Sequence, residues 1–187
     1  MPIYYQLFNM NRSYYDVIMT YIHEHFPFAE VIDVRDTGLE NIYEGQTLQH
    51  VWNHAQNNDG LVFYFHSKGI STTGNPTVHD WRQLMQYFLV TQWGKCAEML
   101  DTNDVVAVKS QWLGNFWWAT CKHIRGLPNP LESGKYVFHD PEMMPGLQNY
   151  RLAFEIWILA NSPRIHYMHE STVNHYQTFY PPRLYQI

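Results

Sequence analysis

The stretch Gly60-Leu61-Val62-Phe63-Tyr64-Phe65 is the clearest indication of the fold class, because its side chains are apolar on both faces of an extended chain. A strand of this kind is typical of the middle of a sheet that is covered on both sides. Around it, short apolar runs alternate with segments of helical periodicity, which is the pattern of an α/β domain. The sequence therefore predicts an α/β domain with this strand near the centre of its sheet.

The other elements are predicted from apolar periodicity and turn residues. Strands are expected at residues 3–8, 29–34, 60–65, 104–108, 115–120 and 164–168. Helices are expected to begin at residues 13, 47, 77, 122 and 150, of which the third runs to about residue 100 and the fourth is short. Residues 128–148 are rich in proline and lack periodicity, which indicates a long loop.

Helix starts and buried faces are also expected from the sequence. Two starts carry a capping pair, Ser13 with Asp16 and Thr77 with Asp80. Three helices carry an apolar stripe that is expected to face the core. The stripes are Val17, Ile18, Tyr21 and Ile22; Leu48, Val51, Trp52 and Ala55; and Trp81, Leu84, Met85, Phe88 and Leu89.

Composition narrows the class of protein. The chain has 187 residues and is 45% hydrophobic, which suffices for a single domain over residues 1–187 with a full core. Its formal net charge of −5 argues against binding to duplex nucleic acid or to an anionic membrane, and no apolar run suits membrane insertion. Cys96 and Cys121 are too few for a disulfide framework. We expect a soluble protein of the cytoplasm.

His66 and Lys68 follow the apolar strand, in a loop over residues 67–76 that is rich in Gly, Ser and Thr. Ligands of open α/β sheets bind where strands end, and free backbone amides in such a loop suit a phosphate. Lys68 could neutralise a diphosphate, and His66 could bind a metal or a phosphate. The alternative is a surface lysine and a histidine that is satisfied by backbone groups.

Asp80 and Arg82 lie near the start of the next helix. Asp80 could close a capping box, or its carboxylate could hold a divalent cation at the mouth of the same cleft. Arg82 could bind a phosphate or carboxylate, or could be a cation on the helix surface.

Asn115, Phe116, Trp117 and Trp118 form the least ordinary stretch of the chain. Consecutive side chains of a strand point to opposite faces, so one tryptophan is expected in the core and the other in a cleft, where it could stack on a sugar or base. Asn115 offers a donor and an acceptor for hydroxyl groups.

Glu155 stands in an otherwise apolar helical segment. It lies either at the solvent edge of the helix or in a site, where partial burial would make it a general base. Glu170 is a second candidate for that role. The 11 histidines suggest a zinc metallohydrolase as a competing hypothesis, with His50 and His54 on one helix face and His166, His169 and His175 close together in sequence.

Five motifs in order resemble a group of glycosyltransferases that occur in bacterial surface-polysaccharide clusters and in large DNA viruses such as chlorella viruses. Members carry a His-Thr-Lys-Gly and a Ser-Gly-Asn-Phe-Trp-Trp-Ala motif. The matching stretches, between about residues 43 and 160, are Tyr-Phe-His-Ser-Lys-Gly from Tyr64, Asp80-Trp81-Arg82, Asp104-Val105-Val106, Gly114-Asn115-Phe116-Trp117-Trp118-Ala119 and Glu155-Ile156-Trp157.

The resemblance implies a GT-A fold, which is a Rossmann-like single domain with a mostly parallel sheet between helices. It implies transfer of a hexose or deoxyhexose from a UDP- or GDP-linked donor to a glycan acceptor, with Mn²⁺ or Mg²⁺ on the diphosphate, in the host cytoplasm if the protein is viral. Residue by residue, the resemblance implies three groups of contacts. The base and ribose of the donor would contact Gln6, Leu7, Phe8, Asp33 and Arg35, and its diphosphate and metal would contact His66, Lys68, Asp80 and Arg82. The sugar and acceptor pocket would be lined by Asn115, Phe116 and Trp117.

The chain departs from the usual pattern at the metal site. Most GT-A enzymes have Asp-x-Asp at the end of the central strand, where this chain has His66-Ser67-Lys68. Two ways of neutralising the diphosphate stay open, a divalent cation at Asp80 and His66 or a metal-free site assisted by Lys68. A carbohydrate-binding module of the same fold without catalysis is the alternative function. If transfer inverts configuration, Glu155 is the expected base; if it retains configuration, Glu155 would orient the acceptor.

Overall fold

The computed structural model describes residues 3–8, 12–25, 27, 29–35, 44–66, 74–109, 116–133 and 154–186. The strands are β1 Ile3–Phe8, β2 Ala29–Arg35, β3 Leu61–Tyr64, β4 Val105–Lys109, β5 Trp117–Thr120 and β6 Ile165–Glu170. The helices are α1 Arg12–His25, α2 Gly45–Asn57, α3 Pro76–Gln86, α4 Trp93–Met99, α5 Cys121–Gly126 and α6 Pro130–Ser133. A π-helical turn, Tyr87–Thr91, joins α3 to α4, and short 3-10 turns form at Trp157–Leu159 and Pro182–Leu184. The predicted combination of helices and strands and the six predicted strands are confirmed.

The strands form two sheets within the described residues. β1 and β2 are parallel and joined through α1. The larger sheet has the order β3-β5-β4-β6, in which β5 is antiparallel to both of its neighbours and β4 is parallel to β6. The larger sheet is therefore mixed, and the expectation of a mostly parallel sheet is wrong for it. Because β3, β4 and β6 run in one direction, all three end at the same edge of the sheet.

The prediction that β3 lies in the middle of the sheet is wrong for the described residues, because among them β3 is the first strand of the larger sheet and has one neighbour, β5. Its two faces are nevertheless covered. Tyr64 packs in one core cluster with Val105, Ala107 and Trp117, whereas Phe63 packs against a second cluster on the opposite face. The apolar run correctly indicated that both faces of β3 contact the core. It does not indicate where in the sheet the strand lies, because a strand at either position can have both faces covered.

The two core clusters alternate along β4 and β5 as a covered sheet requires. The first contains Leu48 and Ala55 of α2 and Ile124 of α5, and the second contains the stripe of α3 and the π-helical turn. The stripes predicted for α2 and α3 thus face the core. The stripe predicted for α1 is wrong at Val17 and Tyr21, whose side chains are 64% and 57% exposed.

The helix starts differ from both predicted capping pairs. α1 begins at Arg12, so Ser13 lies inside the helix. The residue that caps α3 is Asn75, whose Oδ1 accepts a hydrogen bond from the Thr77 backbone N–H at 3.1 Å. Pro76 takes the first helical position, where its missing N–H costs no helix hydrogen bond. Asp80, four residues further on, is free to interact elsewhere.

Replacing Asn75 with alanine is expected to lower the free energy of unfolding by about 1 kcal/mol, because the first turn of α3 loses its side-chain acceptor. Urea denaturation followed by circular dichroism measures the change. Asn57→Ala, at an exposed position in the last turn of α2, is the matched control and is expected to stay within about 0.5 kcal/mol. Equal effects of the two substitutions would contradict the assignment of Asn75 as the cap.

In the described residues, no helix combines the length and the apolar character that crossing a membrane requires.

Candidate functional site

The edge at which β3, β4 and β6 end is the place where an α/β sheet of this kind offers a site. Register pairs Tyr64 of β3 with Trp117 of β5, Trp117 with Ala107 of β4, and Lys109 of β4 with Glu170 of β6. We call this edge the carboxyl-terminal edge; it comprises residues 64–66, 108–109, 116–117 and 169–170. It brings together chain segments that are more than 100 residues apart in sequence.

His66 and Phe116 meet at the carboxyl-terminal edge. Their ring centroids are 5.8 Å apart in an edge-to-face arrangement, and the ring of Tyr64 lies 6.4 Å from that of His66. Phe65, 61% exposed, stacks on Phe63 at 5.3 Å and meets the ring of Phe116 at 6.0 Å in an edge-to-face arrangement. The structure therefore joins a residue expected at the diphosphate to one expected in the sugar pocket.

Both tryptophans of β5 are buried, so the expectation that one faces a cleft is wrong. Trp117 stacks on Tyr64 at 5.0 Å and Trp118 stacks on Phe63 at 4.8 Å, on opposite faces as the strand alternation requires. The indole Nε1 of Trp118 also donates to the Leu89 carbonyl at 2.7 Å. The reason is that β5 is an inner strand with a core cluster on each face.

Glu155 lies near the end of β3, as does a carboxylate that the sequence prediction missed. An added Cβ on Gly45 would lie 2.6 Å from Cζ of Phe154, so the chain passes very closely at these two points. Glu44 precedes the first and Glu155 follows the second, and both side chains are partly buried. An acidic residue before a helix is ordinarily assigned to the helix dipole, so nothing in the sequence distinguished Glu44.

The phenol of Tyr64 lies within the field of these two carboxylates. Burial, and after it the negative charges of Glu44 and Glu155, raise the pKa of Tyr64 well above its ordinary value of 10.0. Tyr64 therefore stays protonated and can donate a hydrogen bond throughout the physiological range. Two partly buried carboxylates therefore lie within electrostatic range of a neutral hydroxyl group at the end of a strand.

Asp80 and Arg82 belong to α3, which packs on the sheet face opposite to that of Phe154. Asp80 Oδ2 accepts a hydrogen bond from the Tyr180 backbone N–H at 3.2 Å. Burial first, and then the charge of Asp80, raise the pKa of Tyr185. Arg82 is half-buried. The structure thus attaches Asp80, expected at the diphosphate and metal, and Glu155, the expected base, to opposite faces of the sheet.

The residues expected at the base and ribose are paired in the smaller sheet. Gln6 lies opposite Asp33, Leu7 opposite Val34 and Phe8 opposite Arg35, where parallel β1 and β2 end. The register thus groups these positions at one edge. Lys68 and Asn115 lie outside the described residues.

Glu170 at the end of β6 is engaged by a cation. Its Oε2 lies 3.0 Å from Nζ of Lys109, which also sits 5.2 Å from the centroid of the Tyr167 ring. The hydrogen bond to Glu170 raises the pKa of Lys109. Both side chains of this ion pair are exposed to solvent.

The described residues contain no group of three or more His, Cys, Asp or Glu side chains that could hold a metal ion. A cation on a diphosphate needs fewer protein ligands, because substrate phosphates and water complete its coordination. His66 and Asp80 supply nitrogen and carboxylate donors of the required kind.

Residues 3–165 match the model of a protein family described as Domain of unknown function (DUF8361). Neither the curated proteins nor the solved structures contain a match to the chain.

Proposed function

The chain belongs to the DUF8361 family, and we propose that it is a glycosyltransferase of GT-A type that moves a sugar from a nucleoside-diphosphate sugar to a hydroxyl of a glycan acceptor. The observation that carries the proposal is the placement of half-buried Glu155 beside Tyr64, where β3 ends. The sequence supports the proposal through five motifs between Tyr64 and Trp157, which resemble those of the glycosyltransferase group and occur in the same order. Three strands ending at one edge provide the kind of surface on which such folds bind nucleotides.

The donor would bind across the strand ends. In the proposal, Gln6, Leu7, Phe8, Asp33 and Arg35 contact the base and ribose of the donor, and His66, Lys68, Asp80 and Arg82 face its diphosphate. When bound, a divalent cation on the diphosphate would stabilise the charge that develops on the leaving group, with His66 and Asp80 as the protein's donors. Lys68 would supply positive charge without a metal.

The acceptor would approach on the side of Phe116. Phe116 and Trp117 are buried, so their contribution is to hold the rings of His66 and Tyr64 in place. Exposed Phe65 offers a flat apolar face at the same edge, which suits the apolar face of a sugar ring. Asn115 would bind sugar hydroxyl groups.

Catalysis would rest on charge and orientation. The leaving group is a nucleoside diphosphate, so the protein has to hold the donor and place an acceptor hydroxyl close to its anomeric carbon. In an inverting reaction, Glu155 takes the acceptor proton and Tyr64 holds the carboxylate in position. In a retaining reaction, Glu155 orients the acceptor instead.

A thermal-shift screen with UDP, GDP and dTDP, each with and without Mn²⁺, tests donor binding. At a concentration of 100 times Kd, a nucleotide that binds only the folded chain adds about 2.7 kcal/mol, which corresponds to a Tm increase of roughly 5–10 °C for a domain of this size. Inorganic phosphate and free hexoses at equal concentration are the controls. No shift with any of the three nucleotides would contradict the proposal.

A carbohydrate-binding module without catalysis is the second candidate, favoured by the exposed aromatic ring of Phe65 and by the lack of Asp-x-Asp. It predicts glycan binding without hydrolysis or transfer of any nucleotide sugar. Glycan binding in the absence of a nucleotide-induced Tm shift would favour this candidate.

A further inference from the structure

Residues 171–186, which we call the strap, follow β6 and lie across α3. The strap starts at the carboxyl-terminal edge, where the Ser171 N–H donates to the Lys109 carbonyl at 2.9 Å. Further along, the Tyr180 N–H donates to Asp80 Oδ2 at 3.2 Å. The hydroxyl of Thr77 lies 2.9 Å from the Tyr176 carbonyl and 2.7 Å from Asn75 Oδ1, and it can donate to one of them at a time. Side chains of α3 thus hold the backbone of the strap.

His175 is the buried centre of the strap. Its side chain is 2% exposed, its ring stacks on Trp81 at 5.6 Å, and the ring of Tyr180 meets it edge-on at 5.1 Å. Within the described part of the chain, neither Nδ1 nor Nε2 of His175 has a hydrogen-bond partner, although both atoms are buried. Buried polar atoms nearly always form hydrogen bonds in folded proteins, so two buried ring nitrogens without partners are unusual.

The surroundings of His175 suit a neutral ring and oppose an imidazolium. A protonated ring would carry two unpaired N–H donors and a buried charge, which is much more costly than a neutral ring in the same place. Stacking on Trp81 and the edge-on contact with Tyr180 favour a neutral imidazole without requiring hydrogen bonds.

Titratable groups from each neighbouring element face this region. β6 contributes His169, whose Nε2 is 3.0 Å from the Tyr180 hydroxyl and whose ring stacks on Phe88 at 5.0 Å. α3 contributes Asp80, whose carboxylate accepts a hydrogen bond from the Tyr180 N–H. The strap contributes Tyr180 and Tyr185. Glu170, next to His169, is engaged by Lys109. The neighbour that acts most directly on His175 is therefore a second histidine, whose protonation would add repulsion.

We propose that the strap is a pH-sensitive closure over α3, which stays closed while His175 is neutral and is released from Trp81 and Asp80 when His175 is protonated. Release frees the Asp80 carboxylate and the first turns of α3. The proposal stands on the strap contacts alone and does not depend on what the carboxyl-terminal edge binds.

The direction of the pH dependence follows from burial. Burial, and then the charge of His169, lower the pKa of His175 below its ordinary value of 6.5 in the closed strap, and burial lowers the pKa of His169 as well. The released strap therefore takes up protons more readily than the closed strap. Closure is fully favoured above about pH 6.5 and is lost progressively as the pH falls from there toward the lowered pKa of the closed state.

Amide hydrogen exchange of the full chain at pH 7.5 and pH 5.0, corrected for intrinsic rates, tests the closure at the Tyr180 N–H. Protection of this amide is expected to fall about tenfold at pH 5.0, whereas amides in the middle of α3 keep their protection. H175F preserves the stacking and removes the titration, so its strap is expected to stay protected at both pH values. H23F, at an exposed histidine of α1, is the matched control and is expected to behave as the parent.

Three results would overturn the proposal. The first is protection of the Tyr180 amide that does not change between the two pH values. The second is the parental pH dependence persisting in H175F, and the third is simultaneous loss of protection throughout α3, which would mean global unfolding.

Discussion

Replacing Glu155 with glutamine is expected to lower the rate of sugar transfer by about 10²–10⁴-fold, the usual contribution of a general base. The substitution preserves the size of the side chain but removes its capacity to take a proton at neutral pH. Nucleotide affinity is expected to stay close to that of the parent, because Glu155 is proposed to contact the acceptor rather than the diphosphate. The measurement is the release of nucleoside diphosphate with the donor identified in the thermal-shift screen.

Glu170→Gln is the matched control for this experiment. Glu170 is an exposed carboxylate of the same edge that is engaged by Lys109, and its loss is expected to change the rate by less than about threefold, since exposed ion pairs contribute little. Transfer by Glu155→Gln at the parental rate would contradict the role of Glu155. An equal loss in both variants would assign proton transfer to another group or to general disruption of the edge.

Replacing Trp117 with alanine is expected to lower the free energy of unfolding by about 3–5 kcal/mol, as for other buried aromatic residues. Trp117 is 2% exposed and its ring stacks on Tyr64 within the first core cluster, so its removal leaves a cavity. Urea denaturation monitored by circular dichroism measures the loss. A loss of this size is a large share of the total stability of an ordinary domain.

Trp93→Ala is the control for Trp117→Ala, because Trp93 is 61% exposed on α4. Its stability is expected to stay within about 0.5 kcal/mol of the parent. If Trp117→Ala proved as stable as Trp93→Ala and bound glycans less tightly, Trp117 would face a sugar pocket in solution and its burial in the core would be contradicted.

The sequence predicted the elements whose signals are local. The stripe from Trp81 to Leu89 predicted the buried face of α3, and the apolar runs predicted each of the described strands. It did not show that the predicted long helix is interrupted by the π-helical turn at Tyr87–Thr91. The cap was also misplaced, because Asn75 and Thr77 are both capping residues and only the backbone path shows which one precedes the first turn.

The candidate site could be predicted only in part. The sequence identified His66 and Glu155 as separate candidate residues but did not show that they lie in the same region. The structure places both near the end of β3. Glu44 was missed, because the close approach of Gly45 and Phe154 joins residues more than 100 positions apart. Asp80 was expected to cap a helix or to hold a cation, and the structure gives its carboxylate a bond to the strap.

The alternation of helices and strands and the faces that α2 and α3 bury could be predicted from the amino-acid sequence, because these features depend on periodicities within one segment. Four features could be seen only once the chain was folded. In the described part of the chain, β3 is the first strand of the larger sheet, β5 is antiparallel to both of its neighbours, both tryptophans of β5 are buried, and His175 is enclosed without hydrogen-bond partners. Strand order and burial depend on which distant segments pair, and an apolar strand has the same local pattern wherever it lies in a covered sheet.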